Sequence, residues 1–130
     1  RYHNITKDDM LNGDGLRVVL WVAGCSHCCK ECHNPVTWDP NGGLEFDEAA
    51  KQEIFAELEK DYIHGITFSG GDPLHIANAY DVTQFAKEVR EKYPNKFPLF
   101  APFFHHHLVQ NRGHQGRIDG SLKAQFLVQL

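Results

Sequence analysis

All four cysteines of this 130-residue chain fall between Cys25 and Cys32. Disulfide frameworks spread their cysteines along a chain, because a crosslink stabilises by closing a long loop. Four thiols packed into one short segment close almost nothing. They read instead as a metal or redox nest in a reducing compartment, so a cytoplasmic location is expected. No basic, apolar leader opens the chain, in line with that expectation. The longest apolar stretch, Val18 to Cys25, is far below the ~20 residues a membrane helix needs. Thirteen basic and 17 acidic residues leave a net charge of −4, which argues against a nucleic-acid partner. The length suits one domain, and 42% apolar content suffices for a packed core.

The segments around the cysteines suggest parallel βα units. Arg17 to Val22 is apolar and β-branched, follows the turn-like Asn12-Gly13-Asp14-Gly15, and reads as a buried strand ending at Gly24. Residues 23–46 lack periodicity and read as a long functional loop. Asp47 caps a helix whose apolar face is Ala50, Ile54, Phe55 and Leu58 and whose end is expected near Asp61. Ile66-Thr67-Phe68 is a second strand, running into Ser69-Gly70-Gly71-Asp72-Pro73. Val82, Phe85, Ala86 and Val89 then recur at helical spacing until Pro94 stops the pattern. Loops that follow parallel strands gather on one rim of the sheet, so the 23–46 and 69–75 loops should meet there.

The thiols allow two selections. Cys25, Cys29 and Cys32 form C-x3-C-x2-C, and all four form two abutting C-x2-C pairs. Closely spaced thiolates bind iron–sulfur clusters, and three of them leave one iron of a four-iron cluster open. Zinc prefers four donors from knuckles separated by a longer span, although His27 or His33 could add a ligand. A dithiol redox motif is a third option. It explains neither the extra cysteines nor the loop length.

The order of these motifs resembles the radical S-adenosylmethionine enzymes and, within them, the activating proteins of glycyl-radical enzymes. The matching pieces are Tyr2-His3-Asn4, Asn12 to Gly15 with Arg17, Gly24-Cys25, Cys32-His33-Asn34, Thr37-Trp38 and Ser69 to His75. They reach from the start of the chain to about Lys96. The resemblance implies that Cys25, Cys29 and Cys32 hold a [4Fe–4S] cluster whose open iron is chelated by S-adenosylmethionine. It implies that Gly70, Gly71 and Asp72, with backbone around Glu31, Cys32 and His33, contact that second cofactor. The implied activity is generation of a 5′-deoxyadenosyl radical that installs a glycyl radical on anaerobic ribonucleoside-triphosphate reductase, with an electron donor such as a flavodoxin. An activase of the formate-lyase type and a non-enzymatic zinc or thiol module are the alternatives.

The implied fold is α/β, a partial parallel (β/α) barrel truncated or altered after its second βα unit. Residues 1–96 would form the radical S-adenosylmethionine part. Residues 97–130 depart from the family: Glu31, His33 and Asp14 are local substitutions, whereas this tail lacks the next apolar strand and reads as frame-shifted or poorly ordered. Bland readings cover the remaining features. His105-His106-His107 is an incidental run, Trp21 and Trp38 are core or loop packing, and Ser69 belongs to a turn. His27 and His33 are loop residues beside the site, Gly13-Asp14-Gly15 is a tight turn, and Glu53, Glu57 and Lys60 are a solvated helix face.

Overall fold

The computed structural model describes residues 1–101, and its parts follow from where β-branched and aromatic residues concentrate. Strand β1 spans Tyr2–Asp9, β2 Leu16–Val22, β3 Ile63–Gly70 and β4 Leu99–Phe100; helix α1 spans Glu48–Leu58 and α2 Ala79–Lys92. A single 3₁₀ turn, Pro35–Thr37, interrupts the long loop after β2. The sheet has the order β1-β2-β3-β4. β2 and β3 run parallel, with Val18 opposite Ile66 and Val22 opposite Gly70. β3 and β4 are parallel as well, with Phe68 opposite Phe100.

Helix α1 starts where the sequence places it, because the Asp47 carboxylate accepts the Ala50 amide at 2.9 Å. It stops at Leu58 rather than near Asp61. Its residues Ile54, Phe55 and Leu58 join Val82, Phe85, Ala86 and Val89 of α2 over one face of the sheet. That face carries Val18, Leu20, Val22, Ile66 and Phe68. Phe85 is the hub, with ring centroids of Phe46, Phe55 and Phe68 at 5.1, 5.6 and 6.2 Å.

The opposite face of β2 and β3 is buried too and carries polar side chains, Arg17, Thr67 and Ser69, beside Val19. Arg17, 3% exposed, donates from Nε to Thr67 Oγ1 at 2.8 Å and from a terminal nitrogen to Ile66 O at 2.9 Å and to Phe97 O. Burial pulls its guanidinium down to about 10, partly opposed by the charge of Asp14. One side chain thus joins β2, β3 and the segment leading into β4.

Five further features differ from the sequence reading. β1 was not anticipated, because its pattern is broken: register shifts lie between Tyr2 and Asn4 and between Thr6 and Asp9. Tyr2 and Ile5, three residues apart, therefore both pack on the core. β1 also pairs antiparallel with β2, so the sheet is mixed rather than purely parallel. Leu99–Phe100 extends the sheet past the boundary expected at Lys96, with Phe100 stacked 5.2 Å from Phe68. Glu57 is buried rather than solvated and meets Lys60 at 2.7 Å, and Ser69 is a buried strand residue. The His105–His107 run and the rest of the tail lie outside the described residues. Among the described residues no helix is long and apolar enough to cross a membrane.

Truncating the hub tests this packing. Phe85→Ala should lower stability by about 3–5 kcal/mol, read as a lower urea midpoint with an unchanged slope. A loss below about 1 kcal/mol would mean that α2 does not close the core.

Candidate metal centre

Because β2 and β3 are parallel, their C-terminal ends share one rim, and the loops that follow them meet there. The meeting is made by backbone. Gly71 N donates to Val22 O at 2.9 Å and Asp72 N to Gly24 O at 2.8 Å, which ties the Gly-Gly-Asp-Pro loop to the exit of β2. Gly24 N donates to Thr37 O at 2.7 Å and Cys25 N to Trp38 O at 3.1 Å, which folds the far end of the cysteine loop back onto its start. Asn78, 5% exposed at the mouth of α2, donates from Nδ2 to Ala23 O at 2.7 Å and to Asp72 O at 3.1 Å.

The glycines are dictated by this seam. A Cβ on Gly71 would lie 2.6 Å from Gly24 O and 3.0 Å from the carbonyls of Thr37 and Val22. Gly70 has φ of +95°, and a Cβ there would meet Val22 N at 2.9 Å. The physical reason for both lies in the chain's own backbone.

Three of the four thiols are half-buried: Cys25, Cys29 and Cys32. Cys28 is exposed, and its φ is +47°. Burial pushes the Cys25 thiol up; the His27 amide opposes this, while the charges of Asp72, Cys29 and Cys32 add to it. Cys32 Sγ accepts from Trp38 Nε1 at 3.3 Å and from Asn34 N at 3.4 Å. Glu31 and His33, on either side of Cys32, are exposed. Across the seam His27 Nε2 lies 3.1 Å from Asp72 Oδ2, and Asp72 Oδ1 accepts the Leu74 amide at 2.9 Å. One carboxylate oxygen of Asp72 therefore bridges the two loops, and the other braces Asp72's own loop.

Trp38 and Asn78 were not picked out as parts of this site by sequence reasoning. The available signal was chemical: a half-buried indole needs an acceptor for its N–H, and Trp38 follows Cys32 by one short turn. The 3₁₀ turn supplies the geometry. Pro35 starts it, Thr37 Oγ1 donates to Asn34 O at 2.6 Å, and Trp38 N donates to Pro35 O at 3.1 Å.

The donor set bears on what this loop can hold. Among the described residues, no three His, Cys, Asp or Glu side chains gather closely enough for a single metal ion. A tetrahedral zinc requires four donors about 2.0–2.3 Å from one point. An iron–sulfur cluster is bulkier, and its thiolates sit around it rather than on one point. Three soft, half-buried thiols within the one segment Cys25 to Cys32 fit that wider group.

The comparisons with known proteins agree with that chemistry. The family model described as "4Fe-4S single cluster domain" matches residues 11–122, running beyond Lys96. An anaerobic ribonucleoside-triphosphate reductase-activating protein of Enterobacteria phage T4 is 39% identical over 95 residues, 73% of this chain and 61% of its own length. Its counterpart in Haemophilus influenzae is 40% identical over 90 residues, 68% of this chain and 58% of its own. In Escherichia coli K12 the corresponding protein is 39% identical over 97 residues, 73% of this chain and 63% of its own. This chain thus spans about three-fifths of the length of these relatives. With a family match over most of its length and relatives near 40% identity, the chain belongs to the 4Fe–4S single cluster domain family.

Proposed function

We propose that this chain is the cofactor-binding part of a radical S-adenosylmethionine activating protein whose partner is anaerobic ribonucleoside-triphosphate reductase. The observation that carries the reading is the backbone seam between the cysteine loop and the Gly-Gly-Asp-Pro loop. It holds two loops of different chemistry side by side on one rim, as a site for two adjoining cofactors requires. In this reading Cys25, Cys29 and Cys32 hold a [4Fe–4S] cluster, and Cys28 stays outside it. The backbone around Glu31, Cys32 and His33, with Gly70, Gly71 and Asp72, borders S-adenosylmethionine. The sheet with both helices on one face is then a segment of a (β/α) barrel, and its buried polar face, with Arg17 and Thr67, is the barrel interior.

When bound, the two cofactors supply reductive cleavage of the sulfonium carbon–sulfur bond and removal of a hydrogen atom from a glycine Cα of the partner. The chain's own residues bind, aim and fix. The His27–Asp72 contact and the Asn78 bonds hold the two loops in register, which keeps the cofactors at a set distance. The electron comes from a low-potential donor of the flavodoxin kind. The names of the relatives favour the reductase over a formate-lyase as partner.

Anaerobic reconstitution tests the ligand set. Cys25→Ala, Cys29→Ala and Cys32→Ala should each lose most of the iron and sulfide and the thiolate-to-iron absorption, whereas Cys28→Ala should keep them. Loss in Cys28→Ala with retention in Cys29→Ala would overturn the triad. Tightly held zinc without that absorption would overturn the reading altogether.

Gly71 provides a second test. A Cβ there strikes Gly24 O and Thr37 O, so Gly71→Ala should disturb the cysteine loop as well as the loop it belongs to. The expected outcome is about 1–3 kcal/mol lost in denaturation and a marked fall in iron incorporation. Normal stability and normal iron with weakened S-adenosylmethionine binding would instead put the glycine's role wholly at the ligand.

A further inference from the structure

Trp38 touches two of the three proposed ligand residues by two different parts of itself. Its carbonyl accepts the Cys25 amide at 3.1 Å, and its indole N–H donates to Cys32 Sγ at 3.3 Å. The residue is half-buried, and its own amide is anchored on Pro35 O at 3.1 Å. The turn thus fixes the backbone of Trp38, and the indole N–H points at Cys32 Sγ. A packing residue would need none of this directionality.

We propose that Trp38 is a positioning residue that raises the reduction potential of the cluster through its N–H···S bond to Cys32. This rests on the cluster reading given above. Reduction adds one electron, and so one unit of negative charge, to a group held by thiolates; no bond forms or breaks and no proton moves. A donor N–H pointed at a ligand sulfur stabilises the more negative state, and hydrogen bonds to the sulfurs are among the determinants of cluster potential. The Asn34 amide, 3.4 Å from the same sulfur, acts in the same direction, but it is backbone and survives side-chain substitution. Trp38 is thus the contribution that substitution can remove.

The test is a redox titration of the anaerobically reconstituted chain with dithionite, followed by electron paramagnetic resonance. Trp38→Phe keeps an aromatic body and deletes the donor. The expected result is near-parental iron and sulfide with the reduction equilibrium shifted against the reduced state by about tenfold, or 59 mV for a one-electron couple. An assembled cluster with unchanged potential overturns the inference, and a purely structural Trp38 gives that result. If Trp38→Phe fails to assemble a cluster, 5-fluorotryptophan can be incorporated into a Trp21→Phe chain, where Trp38 is the one remaining tryptophan. Trp21 donates to Thr6 Oγ1 in the β1–β2 pair, and the reference for the fluorinated chain is the unfluorinated Trp21→Phe chain, which cancels the effect of that substitution. The more acidic fluorinated indole should raise the potential, and no change overturns the inference. A parent chain that assembles no cluster at all overturns the cluster reading, and this inference with it.

Discussion

Everything at this rim depends on peptide groups of three loop segments approaching to within hydrogen-bonding distance with no side chain between them. Val22 O, Gly24 O and Thr37 O converge on the space that a Cβ of Gly71 would fill. Backbone bonds are the means best suited to that approach, since they are short, directional and independent of rotamers. The result is a loop held by its ends: Gly24 and Cys25 at the start are bonded to Thr37 and Trp38 at the finish. The thiols lie between these two fastened ends. Site precision of this kind comes from rigid supports rather than from the ligand residues alone.

The same economy of connection recurs below the rim. Arg17 is a buried cation satisfied by carbonyl and hydroxyl oxygens of β3 and of the segment entering β4. Removing such a group leaves several buried acceptors unpaired, which costs more than the bonds themselves contribute. The helix face of the sheet is held differently, by the aromatic contacts around Phe85. The sheet is thus apolar toward its helices, while its other face buries the polar Arg17, Thr67 and Ser69 beside Val19.

Much of this was legible in the residues. β2, β3, α1 and α2 carry strong periodic or β-branched patterns, and tertiary packing agrees with local preference at each. β1 was illegible because bulges cancel the alternation that would betray it, and β4 because two residues carry no period at all. At the site, the cysteine spacing and the Gly-Gly-Asp-Pro loop announce themselves, but the reason for the glycines does not. Their constraint is the chain's own backbone from β2 and from residue 37, which no local pattern encodes. The Trp38 bond to Cys32 and the Asn78 bonds to Ala23 and Asp72 were equally hidden, since each depends on a turn or a helix mouth placed by the fold.

In the proposed function the cysteine loop and the Gly-Gly-Asp-Pro loop form one site for two touching cofactors. Electron paramagnetic resonance of the reduced, reconstituted chain, recorded with and without S-adenosylmethionine, addresses it directly. The expected result is a one-electron-reduced [4Fe–4S] signal whose g-values shift when S-adenosylmethionine is added, because it would become a ligand of the open iron. A cluster signal that ignores S-adenosylmethionine would contradict the claim.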